Sequence, residues 1–492
     1  MRESDAATIK NKTDSRTLMQ RAGCAIYESA DFCGKKTLIL CGSGNNAGDG
    51  YVLSSLLKKG GEDVSLCLIK EAFSDDGRHF FDIAKSDGVP WSIYDEGLDF
   101  SAFDVIVDCV FGTGFSGEVR EPYRTIFEKV NSSGAYIICA DINSGINGDS
   151  GCGEGAIKSD LTVSIGSYKH GHFLASSHDV MKSKINCDIG IDIIGDEALV
   201  CEEGDFADIL CERKRSCHKG TYGYCAIVAG SDLYPGAAKL ANIAADNSRA
   251  ALRAGCGVVT LAVPESIKDA VAPYLLESTL LPLAEECGRA IFDKGAFSSL
   301  ASKCTSISCG MGWGDGGEYI DILEYLLGVE GLTLIIDADG INTLAKQIEL
   351  LKSARARVVL TPHPLEFSRL SGLEINEILA DPVGCARAFA KQYGVILLLK
   401  GASTVVADEN ECFIVTAGSA GMATAGSGDV LSGILTGLLA YTGTSARSVA
   451  CASHIAGKAG ELASQKYGDI SMLSSDTVAH IPEAILSERK GK

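Results

Sequence analysis

Short apolar runs of strand length alternate with helix-like stretches along the chain, and this alternation limits the folds that are open to it. In the first part of the sequence the apolar runs are Thr37–Cys41, Val64–Ile69, Val105–Asp108, Tyr136–Asp141 and Leu161–Ile165. Strands that alternate with helices usually form a parallel sheet with helices on both faces. We therefore predict an α/β protein that begins with a Rossmann-like, doubly wound sheet.

A second α/β passage follows a charged, less regular stretch at residues 202–215, so we predict domains at 1–210 and 211–492. Its predicted strands are Tyr224–Ala229, Val258–Val263, Ser306–Cys309, Leu332–Asp337, Val358–Leu360, Val395–Leu399, Thr404–Ala407 and Cys412–Val415. An alanine-rich helix is predicted over Ala237–Gly255. Ligands of open α/β sheets bind beyond the carboxyl ends of strands, so functional residues are expected there.

The composition, with 46% hydrophobic and 22% charged residues, is typical of globular proteins. A net charge of −20 argues against nucleic acid and anionic membranes as partners. No apolar run has the length of a membrane span, and the N-terminus lacks the apolar region of a signal peptide. The 19 cysteines contain no Cys-x-x-Cys pair, which favours reduced thiols in a cytoplasmic protein over disulfides or a zinc site.

A glycine-rich loop, Gly42–Gly50, follows the first predicted strand and carries two amides and a carboxylate. It satisfies the Gly-x-Gly-x-x-Ala pattern of dinucleotide-binding turns, which is weak evidence alone. The side-chain oxygens of Asn45, Asn46 and Asp49 would suit a cation or a ligand with sugar and amide groups. A turn that is merely capped by Asp49 is the structural alternative.

Oxygen-bearing side chains follow three predicted strands that we expect to be neighbours: Asn46, Asp108 and Ser144. A hard cation takes several oxygen ligands, and this set is compatible with potassium without being unique to it. Asp141 ends the same strand that precedes Ser144, and it is a candidate acid or base. For each single aspartate, a helix N-cap is the alternative.

In the second domain, Gly421–Gly433 places small residues directly before Asp429 and an apolar helical pattern. Small residues let the backbone approach a ligand closely, and a helix start offers free N–H groups to an anion. A carboxylate there would repel a phosphate, but it is well placed to take a proton from a hydroxyl that receives a phosphoryl group. A glycine-rich turn with an aspartate N-cap is the alternative.

Two further polar side chains follow strands of the second domain. His363 stands between two prolines that hold its backbone, and Lys400 follows Val395–Leu399. A lysine after a buried strand is costly unless it is paired or meets phosphate. An ordinary loop histidine and an exposed strand-end lysine are the alternatives.

The first domain resembles the NAD(P)H-hydrate epimerase (YjeF N-terminal) family, through Met19–Gly23, Asn45–Asp49, Asp108 with Phe111–Gly114, and Asp141–Gly145. The resemblance implies epimerisation at C6 of hydrated NADH or NADPH, for which Asp141 or Asp108 would move a proton. Ala47 and Asn143 depart from the glycine and proline of the family. The implied hydrate-binding residues are Asn45, Asn46, Ala47, Gly48, Asp49, Gly112, Thr113, Gly114, Phe115, Ser116, Gly117, Glu118 and Asp141, and the implied K⁺ ligands are Asn46, Asp108 and Ser144.

Residues 212–485 resemble the ribokinase-type fold and, more narrowly, the ADP/ATP-dependent NAD(P)H-hydrate dehydratase family, through His218–Gly220, Ala250–Gly255, His363 with Pro364, and Met422–Asp429. Departures from the family pattern are Met311, Leu365, Ala425 and Ser427. The implied nucleotide-binding residues are Lys400, Gly401, Ala402, Ser403, Thr404 and Gly428, and the implied hydrate-binding residues are Ala237, Gly314, His363 and Asp429.

Together the resemblances imply a nicotinamide nucleotide repair enzyme that epimerises the hydrates NADHX and NADPHX and dehydrates the S form. They imply Asp429 as catalytic base, ADP as co-substrate, Mg²⁺ in the dehydratase domain and K⁺ in the epimerase domain. A homo-oligomer is expected. Preference between the two hydrates, and ADP against ATP, stay open. The alternatives are a hydroxymethylpyrimidine-type kinase with a regulatory N-terminal domain, a non-catalytic dinucleotide sensor, and an NAD-dependent dehydrogenase, which would leave the second half unexplained.

Overall fold

The computed structural model describes residues 2–195, 197–210, 212–231, 246–314 and 319–490. The chain forms two compact units, Met1–Asp196 and Glu197–Lys492. This division lies earlier than the predicted boundary because Leu199–Val200 pairs with the strand Cys412–Val415, and because Phe206 and Leu210 lie in the core of the second unit.

A seven-stranded parallel sheet forms the centre of the first unit, as the alternating pattern predicted. The strand order is β3-β2-β1-β4-β5-β6-β7, with every neighbouring pair parallel. The strands are β1 Thr37–Cys41, β2 Val64–Leu68, β3 Trp91–Ile93, β4 Val105–Cys109, β5 Tyr136–Ala140, β6 Ser159–Ile165 and β7 Met181–Cys187.

Helices cover both faces of this sheet. Leu38 and Leu40 belong to one apolar core, while Ile39 and Cys41 belong to the other. Successive side chains of a strand point to opposite faces, so β1 is buried on both. The helices are Arg2–Asn11, Ser15–Glu28, Asn45–Gly60, Asp75–Ser86, Tyr123–Asn131 and Ser177–Val180, with short 3₁₀ turns at Phe100–Ala102 and His170–His172.

The second unit contains a ten-stranded sheet in the order β11-β10-β9-β14-β15-β16-β17-β18-β19-β8. It is parallel except at β18, which runs antiparallel to both of its neighbours, β17 and β19. A separate hairpin pairs β12 with β13. The strands are β8 Leu199–Val200, β9 Tyr224–Val228, β10 Val258–Pro264, β11 Thr279–Leu283, β12 Glu285–Glu286, β13 Arg289–Ala290, β14 Ser306–Cys309, β15 Thr333–Ile336, β16 Arg357–Leu360, β17 Ile396–Leu399, β18 Thr404–Ala407 and β19 Cys412–Val415.

Helices of the second unit pack on this sheet around a core that includes Val359, Leu398 and Ile434. Part of the predicted helix Ala237–Gly255 lies outside the described residues, and 246–253 are helical. In the part of the chain that the structure describes, no helix is both long and apolar enough to cross a membrane. Besides 246–253, the helices in the described part of this unit are Lys268–Val271, Lys294–Lys303, Tyr319–Leu327, Asp339–Ala345, Pro364–Ser371, Ile375–Ala380, Pro382–Tyr393, Ser427–Thr442, Ala446–Tyr467 and Ser474–Lys490, with 3₁₀ turns at Lys219–Tyr222, Glu265–Ile267, Ala272–Tyr274, Ile348–Ser353 and Ala420–Met422.

Four of the strands that sequence patterning missed lie at sheet edges. β3, β7, β11 and β8 end their sheets, and each pairs on one side only. An edge strand buries fewer side chains, as β7 shows with three exposed residues in seven. Its apolar signal is therefore weaker than that of a central strand.

Candidate active sites

The carboxyl ends of β1, β4 and β5 bring together the three predicted oxygen donors of the first unit. Ser144 Oγ donates to Asp108 Oδ1 at 2.6 Å, and the Ser144 backbone N–H donates to Asp108 Oδ2 at 2.8 Å. Asn46, on the first turn of the helix that follows β1, donates from Nδ2 to the Phe111 carbonyl at 2.9 Å and to the Ala140 carbonyl at 3.1 Å. The predicted convergence of these strand ends is thus present.

Two features of this cluster fit a bound cation. Asn46 Oδ1 is buried and accepts no hydrogen bond from the described residues. Asp108 is fully buried, and none of the described cations forms an ion pair with it. Burial raises the pKa of Asp108, while hydrogen bonds from Ser144 lower it, with a net rise. An orphaned carbonyl oxygen beside a buried carboxylate is an arrangement that a monovalent cation would complete.

Asp141 begins a second, adjacent cluster. Its backbone has φ of 65°, which is uncommon for a residue other than glycine. Its carboxylate contacts the ammonium of Lys169, which also donates to the Ile165 carbonyl at 2.9 Å. His172 Nε2 donates to the Asp141 carbonyl at 2.8 Å, and His172 Nδ1 accepts from the Lys169 backbone N–H at 3.0 Å. The candidate acid or base is therefore held by a lysine and a histidine that sequence analysis did not identify.

A cavity of about 420 Å³ opens beside Asp141. Its wall includes seven of the predicted hydrate-binding residues: Asn45, Asn46, Asp49, Gly112, Thr113, Gly114 and Asp141. Asp5 and Lys169, which were not predicted, also line it. Asp108 is hydrogen-bonded to Ser144 and is not one of the residues that line the cavity.

Several predicted hydrate-binding positions lie away from this wall. Ala47 is buried, and a Cβ on Gly48 would lie 2.2 Å from Met19 Sδ, so this side of the helix packs on its neighbour. Phe115 stacks on Phe111 with ring centroids 5.0 Å apart. Ser116, Gly117 and Glu118 follow it and are not among the wall residues that the structure describes.

In the second unit, Asp429 lies on the first turn of the helix Ser427–Thr442. Gly426 caps this helix with φ of 96°, a conformation that glycine adopts without strain. Burial raises the pKa of Asp429 to about 7, and the nearby Asp337 carboxylate adds to the rise, whereas Lys400 opposes it. A carboxyl with that pKa takes up and releases protons near neutral pH.

Lys400 lies opposite the start of this helix. Its ammonium donates to Asp337 Oδ1 at 3.0 Å, and a Cβ on Gly428 would lie 3.9 Å from the same nitrogen. Ser432 Oγ donates to the other oxygen of Asp337 at 2.6 Å. Burial lowers the pKa of Lys400, but Asp337 and Glu366 more than offset this, so the lysine stays cationic. The structure thus places a buried positive charge where the sequence predicted nucleotide binding.

His363 is linked to the same cluster through Glu366. The His363 backbone N–H donates to Glu366 Oε2 at 2.9 Å, and His363 Nε2 lies 3.3 Å from Glu366 Oε1. Glu366 Oε2 lies 3.9 Å from the ammonium of Lys400. His363 Nδ1 also caps its helix by accepting from the backbone N–H groups of Leu365 and Glu366. Glu366, which the sequence analysis did not single out, therefore connects the predicted His363 and Lys400.

Gly314 and the segment 401–404 are the remaining predicted residues of the second unit that the structure describes. Gly314 N–H donates to Asp339 Oδ2 at 2.8 Å. Gly401 and Ala402 are exposed in the turn after β17, whereas Ser403 is buried and Thr404 begins β18. Ala237 lies outside the described residues.

Asp337 and Glu366 are the main residues that sequence analysis missed in the second unit. Asp337 ends the predicted strand Leu332–Asp337, so its place at a carboxyl end was the available signal. Within the described ranges, no group of three or more His, Cys, Asp or Glu side chains could hold a metal ion by itself. A metal at this site would therefore depend on ligands from a bound nucleotide.

Comparison with protein families assigns both halves of the chain. The family model described as NAD(P)H-hydrate dehydratase matches residues 225–483, and the YjeF-related protein N-terminus model matches residues 15–171. The first model alone covers more than half of the chain.

Curated relatives match over nearly the whole length. The bifunctional NAD(P)H-hydrate repair enzyme Nnr of Archaeoglobus fulgidus is 32% identical, covering 95% of this chain and 94% of the relative. Its namesake from Escherichia coli is 30% identical, covering 99% and 92%. Among solved structures, a ribokinase-like superfamily protein of Enterococcus faecalis matches 60% of this chain and 98% of its own, with a TM-score of 0.51 and 22% identity, which supports the fold. The chain belongs to the family of bifunctional NAD(P)H-hydrate repair enzymes.

Proposed function

We propose that the protein restores NADH and NADPH from their hydrates, with an epimerase site in the first unit and an ADP-dependent dehydratase site in the second. The observation that carries the proposal most directly is Asp429, a partly buried carboxyl with a pKa of about 7 at a glycine-lined helix start opposite Lys400. A base and a phosphate-binding cation are the two groups that phosphoryl transfer to a substrate hydroxyl requires.

In the dehydratase reaction, Asp429 takes the proton of the C6 hydroxyl of the S hydrate. The hydroxyl oxygen then accepts the terminal phosphoryl group of ADP, which leaves as AMP. N–H groups at Gly426–Gly428 and the ammonium of Lys400 stabilise the charge of the transferred group. Phosphate departs from C6 and a proton is lost from C5, which restores the dihydropyridine ring. Phosphate is a far better leaving group than hydroxide, and this explains the use of a nucleotide.

Asp337 and Glu366 contribute to this chemistry through their contacts with Lys400. Burial would raise the pKa of Asp337, but Lys400 and Ser432 lower it below its usual value, so this carboxylate is ionised. It holds the lysine in place and its charge favours the protonated form of Asp429. Mg²⁺, when bound with the nucleotide, would neutralise phosphate charge, and carboxylates near Lys400 are the candidate protein ligands.

In the epimerase reaction, the hydrate would occupy the cavity beside Asp141, with the carboxamide and ribose against Asn45 and the Gly112–Gly114 turn. Asn46, Asp108 and Ser144 would hold K⁺, which would tie three strand ends together and fix the floor of the cavity. Asp141 is the proposed acid or base, because its side chain reaches the wall whereas that of Asp108 does not. A cytoplasmic location and a homo-oligomer are part of this proposal.

Product analysis tests the proposal and separates it from a hydroxymethylpyrimidine-type kinase. The protein is incubated with the S hydrate of NADH and ADP, and the dihydronicotinamide absorbance is followed while AMP and phosphate are measured. Return of absorbance with equal amounts of AMP and phosphate supports the dehydratase. A stable phosphorylated product without return of absorbance would support the kinase instead.

A further inference from the structure

The cavity of the first unit is lined by four carboxyl groups and one ammonium group. One of the four, Asp76, already forms an ion pair with Arg16 at 3.0 Å. Asp5, Asp49 and Asp141 line the cavity together with Lys169. Lys169 is 7% exposed, and its ammonium contacts Asp141 and the Ile165 carbonyl. Lys169, the one lysine among the described wall residues, therefore pairs with Asp141. Asp5 and Asp49 form no ion pair with it.

Asp49 differs from Asp141 in this respect. It lies near the start of the helix Asn45–Gly60, and its carboxyl forms neither a hydrogen bond nor an ion pair with any described side chain. Burial raises the pKa of Asp49 well above its usual value, and the charge of Asp141 raises it further. A carboxyl whose burial favours its protonated form and a second carboxyl that is paired with a lysine thus line the same cavity, which is an arrangement suited to an acid and a base.

The other titratable groups around the cavity are less suited to proton transfer. His172 is buried, which lowers its pKa to about 4, and both ring nitrogens are used, one toward Asp141 and one toward Lys169. Asp5 comes from the helix Arg2–Asn11, and it is less enclosed than Asp49. Asp76 is hydrogen-bonded by Ser15 and Arg16, which lower its pKa, so Asp5 remains the main competing carboxyl.

We propose that Asp49 and Asp141 divide the proton transfer of the epimerisation, with Asp141 as the base and Asp49 as the acid, and with Lys169 as the positioning residue that holds the carboxylate of Asp141. This inference rests on the proposed epimerase function. Asp141 accepts the proton of the C6 hydroxyl, the C6–N1 bond breaks as C6=O forms, and N1 takes the proton of Asp49. After rotation about C5–C6, N1 closes onto the other face of the carbonyl and returns its proton to Asp49. Asp141 returns the other proton to oxygen, so both carboxyls regain their starting states.

The experiment measures interconversion of the R and S hydrates by chromatography, without ADP, in the full-length protein. Asp49→Asn and Asp141→Asn should each lower kcat by about 10²–10⁴-fold, because each amide keeps the shape and loses one proton transfer. Lys169→Met should lower kcat with little change in KM, and Lys169→Arg should recover part of the loss. Asp5→Asn should cost less than Asp49→Asn.

Dehydration of the S hydrate by the second unit, together with thermal unfolding, shows that each variant is folded. Wild-type kcat in Asp49→Asn, or a larger loss in Asp5→Asn than in Asp49→Asn, would overturn the division of roles while leaving the epimerase proposal intact. A wild-type protein that does not interconvert the hydrates would overturn both.

Discussion

At the scale of single residues, the most informative group is a carboxyl that the fold makes costly to ionise. Asp429 has a pKa of about 7 because it is buried and lies near the Asp337 carboxylate. An ordinary surface aspartate would be ionised at neutral pH but would be a weak base. The environment of Asp429 thus strengthens the base, at the expense of stability.

Asp429→Asn should therefore stabilise the protein, and more so at high pH. The folded-state pKa lies above the unfolded value of 3.8, so wild type loses stability as pH rises from about 4 to above 7, by on the order of 4 kcal/mol in total. Thermal unfolding of wild type and variant at pH 5 and pH 8 checks this. An equal difference in melting temperature at both pH values would contradict it.

Potassium dependence is the second prediction at this scale. The proposed K⁺ ligands include Asn46 Oδ1, which accepts no hydrogen bond from the described residues, and the buried Asp108 carboxyl. Epimerisation by wild type should rise several-fold when KCl replaces choline chloride at constant ionic strength, whereas the dehydration rate of the second unit serves as the reference. Identical epimerisation rates in the two salts would contradict the proposal that K⁺ binds at this site.

At the scale of elements, the helix that carries Asp429 packs closely against its neighbour. On the helix Ser427–Thr442, a Cβ on Gly437 would lie 2.2 Å from the Ala251 carbonyl oxygen, and one on Gly433 would lie 2.4 Å from that of Asn247. These glycines allow the helix at 246–253 to approach, and the approach helps to fix the position of Asp429.

Gly437→Ala should accordingly destabilise the second unit by about 1–3 kcal/mol, since the two backbones must move apart. Gly60→Ala is the matched control, because a Cβ there meets only Tyr27 Oη at 3.4 Å and Glu62 at 4.0 Å. Denaturant unfolding of the two variants makes the comparison. A Gly437→Ala protein as stable as the Gly60→Ala protein would show that the contact carries no strain.

The elements also show how far the sequence predicts structure. Buried central strands such as β1 and β14 were predictable because their apolar runs are continuous, and strand ends could be named as site positions. Lys169 and Asp337 escaped prediction because their partners lie far away in the chain, 28 residues for Lys169 with Asp141 and 63 for Asp337 with Lys400. Pairing across a sheet edge is a property of the fold, which no local pattern contains.

At the scale of the whole molecule, the chain carries two sites in two separate compact units. Asp141→Asn should abolish conversion of R to S and leave dehydration of the S hydrate at wild-type rate, whereas Asp429→Asn should do the reverse. Assays of each variant on separated R and S hydrates check this. Loss of both activities in one folded variant would contradict independent sites.

The measurement that most directly tests proton abstraction by Asp429 is kcat for ADP-dependent repair of the S hydrate, in wild type and in Asp429→Asn, across neutral pH. We expect wild-type kcat to fall as the pH drops below about 7, since the base becomes protonated. We expect the variant to be slower by about 10²–10⁴-fold above pH 7, to lack the wild-type fall below pH 7, and still to bind ADP. A variant that repairs the hydrate at wild-type speed would contradict the proposed mechanism.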